Sequence, residues 1–123
     1  MEDFSLEIED RGPSGALIVA RGELSIMSAP GLAVEIGALV SRGVRRVVLD
    51  LGEVVFADST GLGFLLNGLR RLSRVGGQLV LVVPPGHVHR VFEMTRLDGV
   101  FHLMDTRAQA LGELGLAAVG AEG

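Results

Sequence analysis

The chain contains no cysteine, lysine, tryptophan or tyrosine among its 123 residues. Without cysteine there is no disulfide, no thiolate nucleophile and no cysteine-ligated zinc. Without lysine there is no Walker-type phosphate loop, no Schiff base and no kinase-type catalytic lysine. A receiver domain, whose phosphorylation site relies on a lysine, is not expected either. All 11 basic side chains are Arg, and the 15 acidic ones leave a net charge of −4. That sign is opposite to the basic face a nucleic-acid partner requires. The five Phe are scattered and offer no platform for stacking bases. No apolar run free of Gly and Pro is longer than Leu79–Val83, against the ~20 residues needed to span a bilayer. The first residues, Met1-Glu2-Asp3, are acidic where a signal peptide is basic. A cytoplasmic protein follows, with no nucleic acid and no membrane among its partners, and with no cofactor or metal expected.

What remains is 48% apolar and, at this length, one ordinary domain. Such a chain buries roughly two-thirds of its unfolded surface and needs no staple to fold. The domain is expected over residues 1–116, followed by a flexible tail of small residues over 117–123. The Arg-only usage, with abundant Ala, Gly and Val, suggests a GC-rich bacterial genome.

Phe4, Leu6 and Ile8 alternate with Ser5, Glu7 and Glu9, which predicts a half-exposed strand over Phe4–Asp10. A turn at Arg11–Gly15 leads to a second strand, Ala16–Ala20. After Gly22-Glu23-Leu24, Ser28 is placed to cap a helix with Pro30 in its first turn, and Gly43 to stop it. Val47–Leu51 is a buried-type strand, and Val54–Ala57 leads into Asp58-Ser59-Thr60-Gly61. Leu62, Leu65, Leu66, Leu69 and Leu72 then share one helical face, opposite Asn67, Arg70, Arg71 and Arg74. Leu79–Val83 is a further strand. Val88, Val91 and Phe92 mark a short helix, Val100–Met104 a last strand, and Asp105 the cap of a final helix carrying Ala108, Leu111 and Leu114. The order predicts an α/β fold: a mostly parallel sheet of four to five strands, an antiparallel first edge strand, and four helices.

In such sheets function collects beyond the carboxyl ends of the strands. The best-marked place is Phe56-Ala57-Asp58-Ser59-Thr60-Gly61-Leu62-Gly63. Asp58 or Ser59 can cap the helix that starts there. Gly61, Gly63 and Gly68 each cost about 0.5–1 kcal/mol in a helix relative to Ala, so a close backbone approach is expected. A hydroxyl at a helix amino terminus also suits a phosphate, which the orphan N–H groups and the dipole stabilise. Ser59 is the candidate acceptor, and Thr60 ranks second.

Asp58-Ser59-Thr60-Gly61-Leu62-Gly63 resembles the phosphorylation motif of the STAS domain in bacterial anti-anti-sigma factors. Gly22-Glu23-Leu24, Val48-Leu49-Asp50-Leu51 with Phe56, Asp98-Gly99-Val100-Phe101 and Asp105 with Ala110-Leu111 extend the resemblance from Phe4 to Leu116. The resemblance implies the STAS fold and a protein without catalysis of its own. It implies a switch that binds an anti-sigma factor with serine kinase activity, releases a sigma factor, and is turned off by phosphorylation of Ser59. A phosphatase would restore it. Glu23, Leu24, Ser25, Asp58, Ser59, Thr60, Gly61, Leu62 and Gly63 would make up the partner-binding segment. Two positions depart from the pattern: Ser25 stands where the family usually has Asp, and Arg96 where it often has Gly.

Three other readings compete. STAS domains also serve as phospho-independent subunits of lipid-transport ATPases and of stress-signalling assemblies, and the intact Ser59 favours the phosphorylated class. Ala57–Gly61 is similar to a nucleophile elbow, with His102 the one base in prospect, but the first Gly is missing and the chain is short for a hydrolase. His87 and His89, two apart, diverge on a helix and read as exposed residues rather than metal ligands.

Overall fold

A computed structural model describes residues 3–116; the tail expected over 117–123 lies outside the described residues. Ser5–Asp10 (β1) folds back antiparallel onto Gly15–Leu24 (β2). Ala29–Ser41 (α1) carries the chain to Arg46–Ala57 (β3), and Ser59–Arg74 (α2) to Gln78–Val82 (β4). His87–Met94 (α3) leads to His102–Met104 (β5), and Arg107–Glu113 (α4) follows. The sheet order is β1-β2-β3-β4-β5, with every pair after the first parallel. This is the predicted architecture.

Because each crossover steps one strand in the same direction, right-handedness puts α1, α2 and α3 on one face of the sheet. Leu32 and Ile36 of α1, Leu62 and Leu65 of α2, and Phe92 of α3 meet in one core there. The short α4 covers the other face, where Ala110 and Leu111 pack on Leu17, Val19, Val48 and Val80. Asp50 ties α4 down from the middle of β3. Its Oδ1 accepts from the Gly52 N–H and its Oδ2 from Arg107 Nε, both at 2.8 Å. It therefore satisfies one backbone amide and a guanidinium.

Four local expectations are corrected. Gly22-Glu23-Leu24 does not follow a strand; it is the end of β2, reached past irregularities at Val19/Arg21 and Gly22/Glu23. β3 likewise runs unbroken through Gly52, because pairing with β2 holds both apolar runs in one strand. The last strand is shorter than Val100–Met104: a 3-10 turn at Leu97–Gly99 precedes it, and Val100 is exposed. The final helix is capped by Thr106, not Asp105. Thr106 Oγ1 accepts from the Gln109 N–H and Gln109 Oε1 from the Thr106 N–H, both at 3.1 Å. The buried stripe of this helix is Ala110, Leu111 and Leu114, and Ala108, expected on it, is exposed.

Arg96 ends α3 in the left-handed region at φ 64°, the one non-glycine residue there among those described. That conformation is costly for any side chain, which is why a glycine suits the position. Across β1, β2 and β3, Arg21 bridges Glu7 and Glu53, and these hydrogen bonds, Glu53 first, raise its pKa above the ordinary arginine value.

Candidate functional site

Leu24 and Ala57 are register partners at the carboxyl ends of β2 and β3. Each strand delivers its chain there into a helix start, α1 from β2 and α2 from β3. At α2 the backbone of Asp58 is extended (φ −113°, ψ 169°), and its Oδ1 accepts from the Gly61 N–H at 2.6 Å. Of the two cap candidates, Asp58 is the one used. The intrahelical ladder begins with the Leu62 N–H donating to the Asp58 carbonyl at 3.0 Å. Helix geometry therefore leaves the Ser59 and Thr60 N–H groups without an intrahelical acceptor. Both residues are exposed. Ser59 occupies the first helical position, where negative charge is favoured.

Gly61 is where the close approach occurs. A Cβ there would lie 2.5 Å from the Leu24 carbonyl oxygen and 2.9 Å from Ser25 Cα. The Asp58 N–H also donates to the Leu24 carbonyl, at 3.3 Å. Gly68 packs against the Ile36 side chain of α1, as a helix-contact glycine should. Gly63 departs from expectation: a Cβ there would meet nothing within 4 Å, so no packing calls for it.

The loop from β2 to α1 lies against this helix start. Ser28 stands at the N-cap position with Pro30 behind it, yet its hydroxyl makes no cap bond. Its Oγ donates to the Glu23 carbonyl at 2.7 Å and accepts from the Ser25 N–H at 3.0 Å. Ser25 Oγ accepts from the Met27 N–H at 3.2 Å. These bonds hold a tight loop that turns Ile26 (56% exposed) and Met27 (88% exposed) out to solvent. Sequence reasoning passed over both. Their signal was a pair of apolar residues in a segment with no strand or helix period.

Of the sequence-selected residues, Glu23, Ser25, Asp58 and Gly63 are half-buried, and Ser59 and Thr60 are exposed. Leu24, Gly61 and Leu62 are buried and hold the loop from beneath. The two segments expected to act together are thus brought together.

The other candidates sit elsewhere. His102 is level with Val80 and hence with Val48, two strands away from the end of β3. The nine residues from Val48 to Ala57 cover about 30 Å of strand, so His102 is no base for Ser59. His87 is exposed and stacks on Phe56 at 5.7 Å, and His89 lies 3.5 Å from Glu93. Among the described residues no three metal-ligating side chains cluster, and no helix is long and apolar enough to cross a membrane.

Residues 7–110 match the STAS domain family. The chain is 32% identical over 115 residues to the anti-sigma F factor antagonist of Paenibacillus polymyxa, covering 90% of this chain and 97% of that one. It superposes on an anti-sigma factor antagonist from Mycobacterium paratuberculosis with a TM-score of 0.81 at 28% identity, over 92% of this chain and 95% of the other. The unphosphorylated form of the anti-sigma factor antagonist SpoIIAA gives a TM-score of 0.67 at 25% identity, over 92% and 98%. All three names describe regulators rather than enzymes. With its fold, its strand-end loop and more than half its length matched, this chain belongs to the STAS domain family.

Proposed function

We propose that this chain is an anti-sigma factor antagonist: it binds an anti-sigma factor that carries serine kinase activity, and so releases a sigma factor. Phosphorylation of Ser59 ends the complex, and a phosphatase restores it. The observation that carries this reading is the placement of Ser59, an exposed hydroxyl at the first position of α2, a helix start that lies against Leu24 and Ser25 of the loop whose Ile26 and Met27 are exposed. A partner covering that surface would bury the hydroxyl. The antagonists to which the chain is similar support the same role.

Physical chemistry gives the switch its sign. A phosphate on Ser59 adds about −1.5 to −2 charge at neutral pH. Within the isolated protein the helix amino terminus accommodates it, with the Ser59 and Thr60 N–H groups as donors. In the complex that charge must be desolvated next to the Asp58 carboxylate and the apolar loop, which opposes binding. The phosphate therefore acts on the interface and leaves the fold intact. Ser25, the departure from the family's usual Asp, uses its hydroxyl and amide within the loop, so this chain offers its partner one carboxylate fewer there.

The test is a pull-down from lysate of the native bacterium with wild-type, Ser59→Ala and Ser59→Asp baits. The Ser59→Ala bait should retain an ATPase of the histidine-kinase type, and Ser59→Asp should lose it. A single partner held equally by all three baits, or a transport ATPase in its place, would refute the phosphoswitch and favour a phospho-independent interaction subunit.

A further inference from the structure

We propose that the outward side of α1 is a self-complementary surface on which a second copy of this chain docks, with the two α1 helices side by side and parallel. The inference rests on α1 and its flanks and is independent of the role given to Ser59.

α1 is apolar on both sides. Its inner side is core, through Leu32, Ile36 and Leu39, and Glu35 is the one charged residue among its thirteen. The outward side presents Val34 at 67% exposure, with Gly31 and Ala38 one turn to either side. A surface helix with polar residues only at its margins is the pattern of an interface rather than of a solvated face.

The two margins carry opposite charge. At 100° per residue, Gly31 and Glu35 fall on one side of Val34, and Ala33 and Gly37 on the other. On the Glu35 side a groove of about 720 Å³ runs between α1 and β1, with Glu23 and Asp3 also on its wall. On the Gly37 side a groove of about 470 Å³ runs between α1 and α2, lined by Arg70, Arg71 and Arg74. The Arg71 guanidinium lies close enough to Gly37 that a Cβ there would be 3.0 Å from it. Among the described residues no ion pair reaches Glu35, Glu23 or any of these three arginines; Arg45, Arg46, Arg90 and Arg96 also have none, and Arg11, Arg21, Arg42 and Arg107 are paired. Arg71 and Arg74 suit the last turn of α2, but Arg70 and Arg74, four apart, repel one another.

A two-fold axis running along α1 exchanges the margins. The arginine side of one copy then faces the Glu35 side of the other, at the same height along the helix. Arg71 packs at Gly37, so the basic row stands level with Glu35. An axis across α1 would set arginine against arginine. The charge pattern therefore selects the parallel arrangement and makes the interface isologous, each pairing occurring twice.

Sedimentation across a micromolar-to-millimolar series, at low and high salt, tests this on the full chain. Wild type should dimerise, and more weakly at high salt. Val34→Glu should abolish the dimer, and Glu35→Arg and Arg70→Glu should each weaken it roughly tenfold or more, with thermal melts confirming that each variant folds. The decisive sample is an equimolar mixture of Glu35→Arg and Arg70→Glu. Each variant should pair with itself only weakly, but a heterodimer has both contacts restored: the native Arg70 of one copy meets the native Glu35 of the other, and the two introduced side chains meet each other with their charges reversed. A wild-type monomer at millimolar concentration would overturn the proposal, as would a dimer indifferent to these changes or a mixture that stays monomeric.

Discussion

The starts of α1 and α2 stand side by side at the ends of β2 and β3, and each follows a residue suited to capping a helix. The two use that residue differently. Asp58 closes its own helix by accepting from the Gly61 N–H. Ser28 turns away from its helix and braces the incoming loop through the Glu23 carbonyl and the Ser25 N–H. One side chain fixes the start of the helix that carries Ser59, and the other fixes the loop that carries Ile26 and Met27. Gly61 joins them, because only without a Cβ can the α2 start lie against Leu24 and Ser25. The comparison teaches that a cap residue near a strand end is a polar group seeking orphan backbone. Which backbone it finds depends on the neighbouring strand.

Gly61→Ala is the most damaging test of that picture. The added methyl meets backbone atoms at 2.5 Å and 2.8 Å, which cannot give way as a side chain would. A loss of about 3 kcal/mol in denaturant unfolding is expected, with weakened partner binding because the two loops are forced apart. A neutral Gly61→Ala would mean that the two helix starts do not depend on this contact.

Asp58→Ala and Ser28→Ala sharpen the contrast. Each should cost about 1–2 kcal/mol. Hydrogen exchange should tell them apart: the Gly61 amide quickens only in Asp58→Ala, and the Ser25 amide only in Ser28→Ala. If both variants released both amides, the loop and the helix start would be one cooperative unit.

Gly63→Ala has the smallest expected effect and the opposite sign. No atom lies within 4 Å of the new methyl, so the helix should gain about 0.5–1 kcal/mol in thermal or denaturant unfolding. Lost partner affinity in this more stable variant would show that Gly63 serves the interface rather than the fold.

Much of the architecture could be read from periodicity. In the leucine stripe of α2, Leu62, Leu65 and Leu72 are buried and Leu66 and Leu69 half-buried, and the apolar run of β4 is buried throughout, as a central strand's is. The Asp58–Gly63 segment was equally readable, because a polar cap, two glycines and an amphipathic run coincide. The misread segments are those in which a neighbour overrode the local signal. Pairing with β2 carries β3 through Gly52 and extends β2 to Leu24. Thr106 displaces Asp105 because Gln109 stands three residues on and completes the capping box. That pattern was present in the sequence and was passed over in favour of the nearer acid.

The succession of strands and helices, the helix count and the identity of the candidate hydroxyl are written in residue type and spacing, because burial, period and capping are local physics. Other features are not local. That Ser28 serves a loop, that Gly61 rather than Gly63 is the contact glycine, and that the loop carrying Ile26 and Met27 meets the start of α2 at Ser25 depend on β2 and β3 ending at the same level. So does the placing of Glu35 and the arginines of α2 on opposite margins of α1, which lie 35 residues apart between Glu35 and Arg70. Only the packed sheet brings such distant segments to a common edge, and no window of sequence contains that distance.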